Sequence, residues 1–158
     1  MASALLTAVL LGVVAQAASM YYGYLVPVRP GAFGRHFSLA LASTVLLSLA
    51  HSMTMFFFIG TGKQIKELVK EHARRQTIVQ ETILYKNKLF PIMMVAISLT
   101  MAQFILGGGT HTRVIPGWIH HVLGWLAFGS NVYCFLLEAK YLAFNSRLMN
   151  TVYDTVER

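Results

Sequence analysis

The sequence predicts an all-α integral membrane protein, a four-helix bundle built from two helix hairpins. Of its 158 residues, 56% are hydrophobic and 12% are charged, whereas charged residues make up about a quarter of a soluble domain. A membrane-spanning helix needs roughly 20 apolar residues. Four stretches meet this length: residues 5–26, 37–59, 89–107 and 118–137. We expect them to form one transmembrane domain that comprises the whole chain.

The first stretch is predicted to be a retained helix, because no basic residue precedes it and because it exceeds the apolar core of about 7–15 residues typical of a signal peptide. The second is rich in Ala and Ser. Small side chains let helices approach closely in lipid, so we expect this helix to be central in the bundle. Pro91 is placed in the first turn of the third helix, where proline is tolerated.

Two polar segments are predicted to be helical and to lie in the cytoplasm. Residues 61–88 combine apolar residues at near-helical spacing with charges, which predicts a helix or helical hairpin between spans two and three. No helix breaker follows Trp118, so the fourth helix should continue through residues 138–158. Parts of these segments, residues 63–85 and 140–158, are expected to dock a cytoplasmic protein or other membrane subunits.

Basic residues are distributed unevenly and predict the topology. The first and third connections contain only Arg29, Arg35 and Arg113. The other ten basic residues lie in the second connection and the tail: Lys63, Lys66, Lys70, Arg74, Arg75, Lys86, Lys88, Lys140, Arg147 and Arg158. This bias predicts cytoplasmic N and C termini in a bacterial-type inner membrane. It favours contact with lipid head groups and gives no reason to expect nucleic-acid binding.

Acidic residues are predicted to stay out of the membrane interior. All six, including Glu138, are assigned to the cytoplasmic side or its interface. No pairing of a nucleophile with a base, and no pair of acids, is visible in the sequence. The chain is therefore expected to be no hydrolase or transferase, and at most a redox subunit.

Four histidines fall at the predicted outer face: His36, His111, His120 and His121. His36 and His121 begin helices two and four, and facing each other they could supply both axial ligands of a haem b. Neighbouring residues point about 100° apart on a helix, so only one of His120 and His121 can face the interior, and His121 is preferred. His111 and His120 are secondary candidates for copper or zinc. The alternative is that head groups and water satisfy all four, with no cofactor bound.

The two halves of the sequence share a spacing pattern that indicates an internal duplication. Gln16 is followed by Pro30 and His36, and Gln103 is followed by Pro116 and His121, at closely similar intervals. A duplication would relate the two hairpins by an axis along the membrane normal. In so apolar a chain, chance matches are the alternative.

Three polar side chains are predicted inside the membrane. His51 lies within the second span, where an ionisable residue is by default a functional-site hypothesis. Its predicted partner is Asn131 or Tyr133, with single ligation of a haem or pigment as the alternative. Gln16 and Gln103 should face inward and bond each other, a quinone carbonyl or a propionate.

Taken together, these features predict a small subunit of a larger membrane assembly, with electron transfer through a haem b as the leading function. In general architecture, the pair of helix hairpins carrying histidines resembles small di-haem and mono-haem cytochrome b subunits. One alternative is a cofactor-free accessory subunit. Another is a small channel or carrier lined by Gln16, Gln103, His51 and Asn131.

Overall fold

Four α-helices make up the computed structural model, which describes the backbone of residues 1–156 and the side chains of residues 1–154. The helices are α1 (Ala2–Leu25), α2 (Ala32–Leu68), α3 (Arg75–His111) and α4 (Gly117–Val156). Each is long and apolar enough to cross a membrane. The all-α prediction is thus confirmed. The predicted extension 138–158 is the continuation of α4, and its last two residues lie outside the described part of the chain.

Helices α2 and α4 form the centre of the bundle. Each of them packs against the other three helices, whereas α1 and α3 contact α2 and α4 but not each other within the described residues. The arrangement therefore places α1 and α3 on opposite sides of an α2–α4 pair. The expected central position of α2 is confirmed, and α4 shares it.

Large apolar side chains cover much of the outer surface of the bundle. Leu11, Val45, Ile105 and Leu136 are each at least half exposed, and only 28–39% of each candidate span is buried inside the protein. A soluble protein rarely leaves such continuous apolar surface in water. We conclude that this surface contacts lipid and that the chain is a membrane protein.

Residues 61–68 and 75–88 are helical, but they form no separate element. They are the end of α2 and the beginning of α3, joined by the short link at residues 69–74. As a result Pro91 lies inside α3 rather than in its first turn. The carbonyl that loses its hydrogen bond to this proline belongs to Asn87, between Lys86 and Lys88, where head groups and water can bond it. The glycines 107–109 also lie inside α3, which continues to His111.

Buried positions in the two halves of the chain correspond at a constant interval of 84 residues, as from Leu5 to Leu89. The buried residues of α1 are Leu5, Val9, Gly12, Gln16 and Ser19. Their counterparts in α3, all buried, are Leu89, Met93, Ala96, Thr100 and Gln103. In α2, buried Ser43, Leu47, Ala50, Thr54 and Phe58 correspond to Ala127, Asn131, Cys134, Glu138 and Leu142 of α4. The two helix pairs therefore bury equivalent faces.

A close contact between α1 and α2 depends on Gly12. A Cβ atom at this position would lie 2.7 Å from both Cγ and Cδ2 of Leu47, which is itself fully buried. We predict that Gly12→Ala lowers the free energy of unfolding by about 1–3 kcal/mol, as expected for overpacking. Unfolding of the purified protein by SDS in mixed micelles measures it.

Gly129→Ala is the matched control, because a Cβ at Gly129 in the exposed middle of α4 meets no atom within 4 Å. Alanine is also the better helix former, so this variant should be unchanged or slightly stabilised. Equal effects of the two substitutions would contradict the packing of α1 on α2.

Candidate functional site

The candidate site extends through the bundle from a cavity at one end to a polar cluster in the interior. We call the end that contains His36, His111, His120 and His121 the histidine end, and the opposite end, which contains Lys63, Lys66, Lys86 and Lys88, the lysine end. The cavity at the histidine end has a volume of about 300 Å³. Its lining includes residues of all four helices, among them Gly23, His36, Gln103 and His120.

His36 and His120 face each other at this cavity. Their ring centroids are 6.1 Å apart and the ring planes cross at 82°. His36 Nδ1 lies 2.8 Å from the backbone carbonyl of Ser19, so Nδ1 carries the proton and donates it. Nε2 of His36 then has a free lone pair. Among the described residues, no hydrogen bond to Nε2 of either histidine is found.

His120 repeats the surroundings of His36 in the other half of the chain. Its ring interacts with the backbone carbonyl of Gln103, 17 residues before it, as His36 does with Ser19. The geometry is less favourable, since Nδ1 of His120 has no partner within hydrogen-bonding limits. A buried nitrogen that lacks a partner is uncommon and indicates a site that another group can complete.

Glycines make room for both rings. A Cβ on Gly23 would lie 3.0 Å from Nδ1 and Cε1 of His36, and a Cβ on Gly107 would lie 2.9 Å from Cε1 of His120. Any larger residue at either position would press on the ring. Both imidazoles are thus held against helix backbone, which limits their orientations before any ligand binds.

The other two histidines of this end also line the cavity, but their rings have other partners. His121 is exposed and its ring stacks on Tyr24 at 5.4 Å, so the expectation that His121 faces His36 is wrong and His120 takes that place. His111, at the end of α3, stacks on Phe33 with centroids 4.3 Å apart. His120 rather than His121 faces His36 because of the rotation of α4 about its own axis. The packing of α4 on α2 and α3 sets this rotation, and the local sequence does not reveal it.

Asn131 organises the buried polar cluster. Its Nδ2 lies 2.9 Å from the Ala127 carbonyl, 2.7 Å from Thr100 Oγ1 and 3.1 Å from Gln16 Oε1, so its two N–H groups are shared among three acceptors. The carbonyl can only accept, so the amide orientation is fixed. Its Oδ1 therefore faces His51 Nε2 at 3.0 Å and requires a proton on that nitrogen. The predicted His51–Asn131 bond is present, whereas Tyr133, the alternative partner, is 54% exposed.

His51 forms its second bond with Glu138, and this pair was not anticipated. Nδ1 of His51 and Oε1 of Glu138 are 2.5 Å apart, and both side chains have no exposed surface. Because Nε2 already holds a proton, one further proton between Nδ1 and Oε1 leaves the pair neutral overall. The pair lies about 22 Å along α2 from His36, taking 1.5 Å per residue over 15 residues.

The placement of Glu138 at the cytoplasmic side or its interface therefore needs correction: this carboxylate is inside the bundle. Asn131, Cys134, Glu138 and Leu142 recur at helical spacing and are all buried. This spacing puts them on one face of α4, and Lys140, two residues after Glu138, is exposed. Such an i, i+3, i+7 series of polar residues was the signal available in the sequence. The nearby charge of Lys140 obscured it.

Gln16 and Gln103 are both buried, as expected, but no bond between them is found in the described structure. Gln16 Oε1 accepts from Asn131, while its Nε2 has no partner. Gln103 lies at the cavity. Gln16 thus belongs to the polar cluster, and Gln103 to the histidine end.

Two sets of side chains have the chemistry to hold a cofactor or metal. One is the His36–His120 pair at the cavity. The other is His51, Cys134 and Glu138, whose ligand atoms all lie within 4.8 Å of one another. No family model, curated protein or solved structure matches this chain.

Replacing only one member of the His51–Glu138 pair should lower the free energy of unfolding more than replacing both. His51→Leu leaves a carboxyl group without its main partner in an apolar interior, which costs about 3–5 kcal/mol of unfolding free energy. In the double variant His51→Leu and Glu138→Leu no such group remains, so we predict a smaller loss than in the single variant. SDS unfolding in mixed micelles measures all the variants.

His121→Leu is the control, because this histidine is exposed and should change stability little. If the double variant lost as much stability as the sum of the two single variants, the two side chains would not be coupled. That result would contradict the pairing.

Proposed function

We propose that this chain is a small membrane subunit for electron transfer, with a haem b bound between His36 and His120 at the histidine end. The observation that carries the proposal is the pair of inward-facing imidazoles with their free Nε2 atoms at a cavity. Haem b is the common group that takes two histidines as axial ligands in membrane helix bundles.

The spacing of the two rings supports this ligand. Two imidazoles on opposite sides of one metal have centroids about 6 Å apart, given metal–nitrogen bonds of about 2 Å. The observed distance is 6.1 Å. The bond from His36 Nδ1 to the Ser19 carbonyl also matches metal-binding histidines, which commonly donate their other N–H group to a carbonyl or carboxylate.

The charge at this end suits a ring with carboxylate groups. Helices α2 and α4 both begin here, and the free N–H groups of a helix N-terminus favour anions. Arg35 and Arg113 add positive charge at the same end. These positive groups would hold the propionates of a haem bound there, and apolar Met20 and Phe33 also line the cavity. When bound, the haem supplies one-electron redox chemistry.

Two further features belong to the proposal. The equal burial at an interval of 84 residues supports an internal duplication in two helix hairpins, with His36 and His120 as equivalent ligands. The excess of Lys and Arg at the lysine end supports cytoplasmic termini and an outer-facing histidine end in a bacterial-type inner membrane. Electrons would then enter or leave at the outer surface. The assembly partners would contact the apolar faces of the spans or the lysine end.

Haem content of purified variants tests the proposal. The chain is expressed with a haem precursor, purified in detergent, and analysed by visible absorption and by pyridine haemochrome. We predict one haem per chain and a low-spin spectrum. His36→Ala and His120→Ala should each lower haem affinity by more than about tenfold, since even second-shell partners of a metal ligand contribute that much.

His121→Ala and His111→Ala are matched controls, because both histidines line the same cavity but stack on Tyr24 and Phe33 instead of facing His36, and these variants should keep the haem. A monodisperse, helical wild-type protein without Soret absorption would contradict haem binding and support a cofactor-free accessory subunit. If the wild-type protein instead contained copper or zinc, and this metal were lost in His36→Ala and His120→Ala, the ligand of this site would be a metal ion and not haem. If the protein conducted a solute across liposome membranes and Asn131→Ala abolished this flux, the result would favour the channel or carrier function.

A further inference from the structure

The polar cluster in the bundle interior contains three potential metal ligands from two helices. His51 comes from α2, and Cys134 and Glu138 come from successive turns of α4. All three side chains have no exposed surface. An ionisable side chain in the interior of a membrane protein is expensive and is a functional hypothesis by default. Here three such groups converge on one point.

We propose that His51, Cys134 and Glu138 form a second site, which binds one divalent metal ion, Zn²⁺ by its ligand chemistry. The ligand atoms are Nδ1 of His51, Sγ of Cys134 and Oε1 of Glu138. Histidine nitrogen, cysteine thiolate and glutamate carboxylate are each zinc ligands in proteins, and three protein ligands leave a fourth position for a further oxygen.

The distances between the ligand atoms are close to those of a tetrahedral site. With Zn–S bonds of about 2.3 Å and Zn–N or Zn–O bonds of about 2.0–2.1 Å, ligand atoms are about 3.6 Å apart when sulfur is one of them and about 3.3 Å otherwise. Sγ lies 3.6 Å from Oε1 and 3.8 Å from Nδ1. Nδ1 and Oε1, at 2.5 Å, are joined by a proton and must separate by less than 1 Å.

The surroundings hold the ligands in the orientation that a metal needs. Asn131 Oδ1 accepts a bond from His51 Nε2–H, which leaves Nδ1 as the ligand atom. Metal-binding histidines are usually fixed by such a bond. Thr54 Oγ1 lies 3.5 Å from Oε2 of Glu138 and is a candidate for the fourth ligand. Asn131 is fixed in turn by Gln16 and Thr100, so all four helices support the site.

The charges balance in the metal-bound state. A divalent ion, one thiolate and one carboxylate sum to zero, and no Lys, Arg or further acid appears among the side-chain partners found for the cluster. Binding displaces the proton shared by His51 and Glu138 and the proton of the Cys134 thiol. Two protons therefore leave for each ion bound.

This site is independent of the haem proposal, because its ligands lie about 22 Å along α2 from His36 at 1.5 Å per residue. The test uses a variant in which His36→Ala and His120→Ala remove the ligands at the histidine end. Since the cluster is fully buried, zinc is supplied in the expression medium so that it can enter during folding. Bound metal is then measured by elemental analysis of the purified, monodisperse protein.

We expect one zinc ion per chain, in the wild type and in the His36→Ala and His120→Ala variant alike. Cys134→Ser and Glu138→Gln should each lower affinity at least about tenfold. Replacing zinc by cobalt should give thiolate-to-metal absorption that is absent in Cys134→Ser. Circular dichroism establishes that each variant is folded.

Folded wild-type protein without zinc would overturn the proposal and leave the cluster as a neutral, proton-sharing pair. Zinc that persists in both Cys134→Ser and Glu138→Gln would equally overturn it. So would zinc that is lost only when His36 and His120 are replaced, because the ion would then be at the histidine end. Neither of the first two results would affect the haem measurement.

Discussion

The absence of water in the hydrocarbon interior is the constraint on which this structure depends. A polar side chain in a membrane helix needs a partner within the protein, because lipid offers none. The bundle meets this requirement through Asn131, which bonds Gln16 of α1, His51 of α2 and Thr100 of α3 from its position on α4. One amide therefore links all four helices. The apolar residues around it are left free to face lipid.

The same constraint explains why the polar residues lie along one axis. One group of polar residues is at the histidine end: His36, His120, Ser19 and Gln103. A second group, which includes His51 and Glu138, lies deeper in the bundle, between α2 and α4. Between these levels the central helices bury small or apolar residues, including Ala50 and Ala127. On our proposals, the paired histidines at one end would hold a redox-active group and the polar cluster below them would hold a metal ion.

The sequence was sufficient to predict features that depend on composition. Hydropathy identified four spans. The absence of a helix breaker after Trp118 predicted that the fourth helix continues beyond the span, and α4 extends to Val156. Counting residues from the membrane surface placed Asn131 at the depth of His51, and the two are bonded. These predictions succeeded because rise per residue is nearly constant in a helix.

Features that depend on helix rotation could not be predicted in the same way. His120 and His121 are adjacent, and only the packing of α4 determines which of them meets His36. Glu138 was misplaced because a charged residue near Lys140 looks interfacial, although positions two apart point to opposite sides of a helix. The proline and glutamine spacings of the two halves are only closely similar, whereas their buried faces correspond at a constant interval of 84 residues, as from Leu5 to Leu89.

The central claim is that α2 and α4 meet through His51, Cys134 and Glu138, and a crosslink between thiols tests it most directly. The chain has a single cysteine, Cys134, so His51→Cys in a Glu138→Gln background creates one pair, which a bifunctional thiol reagent or a mercuric ion can bridge. The account predicts intramolecular bridging within the folded monomer. It predicts none for Met53→Cys in the same background, since Met53 faces lipid with 54% of its surface exposed. Bridging that is equally efficient in both variants, or absent in His51→Cys, would contradict the account.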